Sequence, residues 1–404
     1  MQLLRLANAM SLPSQSPSSL TLGFYFHIPF CRTRCTYCAF NTYTGQTDLI
    51  TPYMQALRRE LALVVDSFKP TVSSIYFGGG TPSLVPAVHI EATLQACADR
   101  CRLTPDVEIT LEANPGTVDR TYLRDLRRIG VKRLSLGMQS AHARELKLFA
   151  RLHRLDDVLA TVDSARAVGF DSINLDLIYG IPRQALEMWQ HSLTTALCLN
   201  PTHLSLYSLG IENATPLESW IAHGTLPAPD PDRAADMYEW ASDHLAASGF
   251  EQYEISNWAR PGYACRHNLH VWHNQPYLGF GAGAHGCAVH TRYANVNLPA
   301  AYIERIQNQP APLAFPLSAA AEEIDIIDLP SEMAETMFLG LRLTQEGITT
   351  ETFQARFGRD LWTVYGKEID TLITAGLLEY SAESRIRLTP RGRLLGNRVF
   401  AAFV

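Results

Sequence analysis

From Leu22 onward, short runs rich in β-branched and aromatic residues alternate with amphipathic stretches of helical period. This alternation is the feature that most restricts the fold, because β/α repeats can bury their apolar faces only around a parallel sheet. Strands are predicted at 22–27, 73–77, 107–113, 133–138, 172–178 and 203–208, and helices at 48–68, 118–129, 155–168 and 184–199. Gly130 and Gly169 stand where the second and third of these helices must stop. Six such units predict an α/β fold built as an incomplete (β/α)6 barrel, whose ligands bind at the C-terminal ends of the strands.

Polar residues gather at those predicted ends. The second strand runs into Gly78-Gly79-Gly80-Thr81-Pro82, the third ends at Glu112, the fourth at Gln139, the fifth at Asp176 and the sixth at Tyr207-Ser208. Each alone reads equally well as an ordinary strand-end group, but one per unit at a shared position points to a single site. The triple glycine lets backbone approach a ligand closely, or else forms a tight turn after a buried strand. It is no phosphate-binding P-loop, because no G-x4-G-K-[ST] occurs.

The first strand leads into YFHIPFCRTRCTYCAF, residues 25–40, in which Cys31, Cys35 and Cys38 stand in C-x3-C-x2-C spacing. Thiolates bind soft iron, and a short loop can aim three sulfurs at three corners of one [4Fe–4S] cluster. An ordinary cluster takes four cysteines. The run instead continues to Phe40, so one iron is left for an outside ligand, and Phe26, Phe30 and Tyr37 would help keep water away. Zinc would want a fourth ligand nearby, for which His27 is the local candidate. A disulfide suits a secreted protein, and nothing here marks one.

Beyond residue 208 the repeat weakens. A helix is predicted at 230–248 and a strand at 251–255, followed by CRHNLHVWHNQPYLGFGAGAHG at 265–286. Its histidines and Trp272 suit haem ligation, but composition alone favours a polar loop covering the barrel mouth. Gly281-Ala282-Gly283-Ala284-His285-Gly286 has the form G-x-G-x-x-G, yet no helix is predicted after it, so it is not a dinucleotide fingerprint. Cys97 and Cys101 share one helical face and read as packing residues.

Residues 312–330 turn Ala/Pro/acidic and read as a linker. Helices at 332–343, 350–357 and 360–375, a hairpin of 377–380 with 385–388, and a last helix from Pro390 form a smaller winged-helix-like domain. Such domains often bind DNA, and Arg385, Arg387, Arg391, Arg393 and Arg398 form a basic strip. The net charge of −6 argues against a general nucleic-acid surface and favours a protein contact or lid. With 47% hydrophobic and 18% charged residues the chain is of globular composition, and no apolar run is long enough to span a membrane. The Ser/Pro-rich residues 1–20 read as a flexible tail and not a signal peptide, and eight cysteines without a framework fit a reducing cytoplasm.

The segments YFHIPFCRTRCTYCAF, YFGGGTPS, ITLEANPGT, RLSLGMQS, NLDLIYGIP, HLSLYSLGIENATPL and LGFGAGAH occur in this order. Together with the C-terminal unit they make the chain resemble the HemN/HemW branch of the radical S-adenosylmethionine (SAM) superfamily. The resemblance implies a radical SAM barrel over 21–311 and a HemN-type domain over 331–404. It implies a [4Fe–4S] cluster on Cys31, Cys35 and Cys38, whose open iron is chelated by SAM. Tyr25, Tyr37, Gly79, Gly80, Thr81, Glu112, Gln139, Arg151 and Asp176 would line the SAM site. The coproporphyrinogen III dehydrogenases of this branch resemble C-x3-C-x2-C-x-C, where this chain has Phe40. The HemW haem chaperones show Phe there and an H-N-x-x-Y-W motif, matched by His267, Asn268 and Trp272 but with Val271 in place of tyrosine. The expectation is a haem chaperone that passes haem to haem-requiring proteins, some of them at membranes, with porphyrinogen decarboxylation as the rival. No catalytic residue is assigned, and whether SAM is cleaved stays open.

Overall fold

The computed structural model describes residues 20–381 and 383–404, so the tail expected at 1–20 lies, apart from Leu20, outside the described residues. Six parallel strands run side by side in chain order: β1 (Thr21–Ile28), β2 (Thr71–Gly79), β3 (Arg102–Ala113), β4 (Arg133–Gln139), β5 (Ser172–Tyr179) and β6 (His203–Ser208). Helices such as Ile50–Val65, Arg120–Arg128 and Leu155–Ala167 connect them, each within two or three residues of its expected bounds. Side chains alternate between the two faces of a strand, and the two faces here differ in kind. Phe24, Phe26, Phe77, Leu111, Leu136, Leu175 and Leu206 point toward the helices and are buried to within 1%. Each such side chain contributes roughly 1.5–3 kcal/mol relative to exposure. The alternate residues Tyr25, Tyr76, Glu112, Ser135, Asn174 and Ser205 line a polar lumen.

The sheet does not close. Beyond β1 it continues through Tyr277–Phe280, which pairs in parallel, and then through antiparallel His285–Ala288, Thr291–Asn295 and Ala321–Ile326. Beyond β6 it continues through Asn257–Ala259 and Glu251–Glu254, for twelve strands in all. The presumed linker is therefore corrected over part of its length. Ala321–Ile326 is an edge strand, and residues 322–326 are exposed on both faces. A solvated, charged edge strand has the composition of a linker, which is why the two look alike in sequence.

The G-x-G-x-x-G run proves to be an internal turn between strands Tyr277–Phe280 and His285–Ala288. Gly281 has φ 103°, and a Cβ there would come within 2.5 Å of the Tyr53 hydroxyl. The turn wraps a buried carboxylate. Glu60 accepts from the Gly281 N–H (2.9 Å), Asn295 (2.9 Å), Tyr302 (2.6 Å) and Ser318 (2.7 Å). These glycines bring backbone to a protein carboxylate, not to a cofactor phosphate.

The C-terminal unit has its own core around Met337, Phe353, Leu361, Ile369, Ile386 and Val399. A small sheet is ordered Ile348–Thr349, Arg385–Leu388, Leu378–Tyr380; its first strand precedes the helices Thr350–Phe357 and Leu361–Thr374 and its hairpin follows them, a winged-helix-like arrangement. Much of the basic strip is spent within the chain: Arg385 pairs with Glu383, Arg387 with Glu379, and Arg393 bonds Gln252. Bidentate Arg292–Glu335 contacts at 2.7 and 2.9 Å dock the unit on the large sheet.

Replacing Glu60 by alanine strands four buried donors at once. A loss of about 3 kcal/mol is expected, read as a fall in the thermal midpoint of Glu60→Ala with the far-ultraviolet spectrum retained.

Candidate functional site

After β1 the chain turns at Pro29, and Phe30–Cys31 pairs in parallel with Tyr43–Thr44. The loop so closed presents Cys35 and Cys38. It is pinned from inside: Thr36 bonds the Phe149 and Leu148 carbonyls (3.3 and 2.7 Å), and the Leu217 N–H bonds the Thr36 carbonyl at 3.0 Å. All eight cysteines are free, and Cys31, Cys35 and Cys38 are half-buried. Burial pushes the Cys31 thiol up, Thr81 and Arg151 oppose this, and the fields of Cys38 and Cys35 add to it. The Cys38 thiol is likewise raised, first by burial. The three sulfurs thus feel one another. Among the described residues no three His, Cys, Asp or Glu side chains are drawn together around a point where a single metal ion could sit. Corners of a multi-iron cube stand farther apart.

A relay of hydrogen bonds ties this loop to the strand ends. The Thr81 hydroxyl meets Cys31 Sγ at 3.5 Å, and Asn114 donates to Thr81 Oγ1 at 3.0 Å. Arg151 donates to Asn114 Oδ1 at 2.6 Å and to the Tyr37 hydroxyl at 3.4 Å. Burial works against the Arg151 charge, but Tyr37, Cys35 and Asp176 hold its proton more firmly than usual. Its Nε is sealed from solvent without a partner. Gly137 leaves the room: a Cβ there would lie 2.8 Å from Gln139 Nε2 and 2.9 Å from Arg151 Nη2. Gln139 sits at φ 65°, which turns the end of β4 inward.

On the other side of the mouth, Glu112 accepts from the Tyr76 hydroxyl at 2.8 Å and the Gly79 N–H at 3.0 Å. Burial, aided by Asp176, pushes its carboxyl up to about 7 against those two bonds. Burial also raises Asp176, opposed by Asn174, Ser205, Arg151 and Ser135. His27 Nε2 lies 2.9 Å from the Asn41 carbonyl and Nδ1 lies 3.0 Å from the Tyr25 hydroxyl. A carbonyl only accepts, so Nε2 carries the proton and Nδ1 accepts from Tyr25. Gly79 is required beside this ring, since a Cβ would fall 2.6 Å from His27 Cε1. The structure therefore gathers Tyr25, Tyr37, Gly79, Gly80, Thr81, Glu112, Gln139, Arg151 and Asp176 around one mouth with the three cysteines.

The histidine-rich stretch is not a loop over that mouth. It forms the helix Arg266–Trp272, set in the lumen against the lower parts of β1, β2 and β3. His267 is buried, stacks near Tyr76 (5.1 Å) and Tyr25 (6.4 Å), and shares Nδ1 with Ser74 Oγ at 3.0 Å. Burial, with His270 nearby, pushes it down to about 3, so the ring is neutral. A cavity of about 560 Å³ is lined by His267 and Val271 together with Tyr25, Gly79, Glu112 and Phe40. Asn268 and Trp272 are not on its wall. Asn268 lies beside the Tyr253 hydroxyl, and Trp272 lies under Arg342, whose guanidinium carbon is 4.3 Å from the ring centroid.

Sequence reasoning missed Asn114, Tyr76 and Ser74, and weighed His27 only as a zinc ligand. Asn114 was within reach, standing two residues past Glu112 in the segment ITLEANPGT. The others alternate with buried aromatics on β1 and β2, and only the pleat reveals which face is lumen.

A three-thiol loop after the first strand of an open six-strand parallel array, faced by a glycine turn and strand-end carboxylates, defines a radical SAM protein. Residues 25–196 match the model of the Radical SAM superfamily, and residues 327–395 that of the HemN C-terminal domain. The structure of coproporphyrinogen III oxidase (HemN) from Escherichia coli, a radical SAM enzyme, aligns with a TM-score of 0.82 over 96% of this chain and 90% of that one. At 23% identity that likeness speaks for the fold. The heme chaperone HemW of Bacillus subtilis is 36% identical, covering 94% of this chain and 98% of its own length. That of Mycobacterium tuberculosis is 38% identical, covering 96% and 97%. The chain belongs to the HemW family of the radical SAM superfamily, whose members use a [4Fe–4S] cluster and SAM.

The site fits such a cluster: three free, mutually coupled thiols, a nearby cation with an unsatisfied Nε, and a glycine cradle. A Cβ on Gly80 would lie 2.9 Å from Cys31 Sγ and 2.8 Å from the Phe30 carbonyl oxygen. Gly80→Ala is expected to hold less than about half the wild-type iron after anaerobic reconstitution, by iron assay, because Cys31 must move to admit the methyl group.

Proposed function

We propose that the protein is a haem chaperone: it holds a [4Fe–4S] cluster and SAM at the barrel mouth and haem on His267, and delivers haem to haem-requiring proteins. Cys31, Cys35 and Cys38 would hold the cluster, which when bound supplies one-electron chemistry. The Arg151 guanidinium suits the SAM carboxylate as a charge-assisted pair, and Glu112 with Asp176 suits its ammonium and ribose hydroxyls. Tyr25, Tyr37, Gly79, Gly80, Thr81 and Gln139 complete the walls.

The observation that carries this reading is the shared cavity, in which His267 meets Tyr25, Gly79 and Glu112 on one wall. His267 is suited to iron. Its ring is neutral, and in the tautomer whose Nδ1–H donates to Ser74 the lone pair of Nε2 is free for iron. Phe40, 68% exposed, stands at the cavity where coproporphyrinogen dehydrogenases resemble one another in carrying a further cysteine. Val271 leaves open the space a tyrosine would fill beside His267. Free thiols suit a reducing compartment, in our reading the cytoplasm, and the recipients include membrane haem proteins met from the water side. Among the described residues no helix is long and apolar enough to cross a membrane, and no nucleic-acid partner is proposed.

Anaerobically reconstituted protein should give a Soret band on haem titration that weakens strongly in His267→Ala. The same preparation should leave coproporphyrinogen III unconverted; turnover to protoporphyrinogen would refute the chaperone assignment. SAM affinity should rise as pH climbs through about 7, because Glu112, pushed up to about 7, is neutral below that point and offers the ammonium no charge. Equilibrium dialysis of Glu112→Gln should show that slope flattened.

A further inference from the structure

The helix that carries His267 has seven residues, too few to persist in isolation, so its position is set by what grips its ends. The barrel grips the start. Glu108 accepts from the backbone N–H groups of Arg266 and His267, both at 3.1 Å, and Arg266 pairs with Asp106 at 2.6 Å. The C-terminal unit grips the end. Arg356 donates to the carbonyls of His273 (3.2 Å) and Asn274 (2.8 Å), while Glu332 holds Arg356 at 2.8 Å. His273 Nε2 meets Glu346 at 2.7 Å, and Asn274 donates to Thr336 at 3.1 Å.

A further grip is on Trp272, inside the helix itself. The Arg342 guanidinium lies 4.3 Å over its ring and pairs with Glu254 at 3.1 Å. Glu254 is fully buried at the far edge of the sheet, where it also accepts from Ser256 N and Asn257. Trp272 Nε1 is sealed from solvent without a partner, and Trp272 takes no part in the wall of the cavity that His267 and Val271 line. Asn268 likewise turns away, to Tyr253, whose hydroxyl meets His203 at 2.8 Å.

We propose that Asn268 and Trp272 hold the helix rather than the haem, and that Arg342 of the C-terminal unit is a positioning residue that sets His267 through Trp272. This rests on the haem site proposed above and adds to it a role for the C-terminal unit. Docking of that unit and the aim of His267 Nε2 become one coupled property. A planar guanidinium both stacks and forks, so lysine replaces it only in part.

The test uses full-length, cluster-loaded protein and the rate at which bound haem passes to excess apomyoglobin. Arg342→Met should release haem at least tenfold faster than wild type, with a shifted Soret maximum and unchanged iron content and SAM binding. Arg342→Lys should fall between the two. Trp272→Leu should match Arg342→Met, and the double variant should be no faster than either, the signature of residues acting as one. Arg342→Met with wild-type release and spectrum, beside haem loss in Trp272→Leu, would make Trp272 a haem contact and overturn the proposal. Should Arg342→Met fail to take up the cluster, Arg356→Met tests the same grip from the helix end, and wild-type release there overturns it equally. If His267→Ala itself binds and releases haem as wild type does, the haem site is what fails, not the positioning role.

Discussion

The constraint on which the site depends is a half-buried cation that has only neutral hydrogen-bond partners. Arg151 is held by Asn114 and Tyr37, with one nitrogen left unpaired. An enclosed guanidinium without a counter-ion is costly unless negative charge is brought to it. Beyond the field of the Asp176 carboxyl, the negative charge that can be brought to it is of two kinds: cysteine sulfurs, which lose their protons on binding iron, and a ligand carboxylate. The thiols, raised by their own burial, and the guanidinium, firm in its charge, are each unfavourable alone and favourable together. The relay through Asn114 and Thr81 to Cys31 turns that mutual need into fixed geometry.

The fold makes this possible by giving its parallel strands two unlike faces. One face carries the phenylalanines and leucines that seat the helices; the other is a polar lumen whose upper rim is the mouth and whose lower part is filled by the helix bearing His267. Because that helix enters from beyond β6 and leaves toward the strand that pairs with β1, it lies across the gap an open sheet leaves. One cavity therefore touches both the cysteine-loop side and His267. The same economy appears in the glycine turn at Gly281, where a Glu60 oxygen receives the backbone N–H, in keeping with the absence of a dinucleotide fingerprint in the sequence.

The six strands, most helices and the cysteine loop were legible from the chain, because two-residue and 3.6-residue periods survive wherever one face is apolar. The helix Arg266–Trp272 was not. It is short, lacks an apolar stripe, and is shaped by Glu108 at one end and by Arg342 and Arg356 at the other, from positions distant in sequence. The strand Ala321–Ile326 escaped for another reason: its alternation is confined to Glu323-Ile324-Asp325-Ile326, inside an acidic, Ala/Pro-rich stretch, and neither face is buried.

The sequence by itself determined which groups are the candidates for the chemistry: three thiols at fixed spacing, a glycine turn, one polar residue at each strand end and a histidine motif. These are local, because thiol spacing and turn conformation are properties of a few consecutive residues. Tertiary structure alone decided which of them share a space. It joined His267 to the mouth through one cavity, turned Asn268 and Trp272 away from it, and set Arg342 over the helix from another unit. Those choices rest on contacts between residues tens to hundreds of positions apart, and a linear pattern holds no record of them until the sheet brings them within a few ångströms.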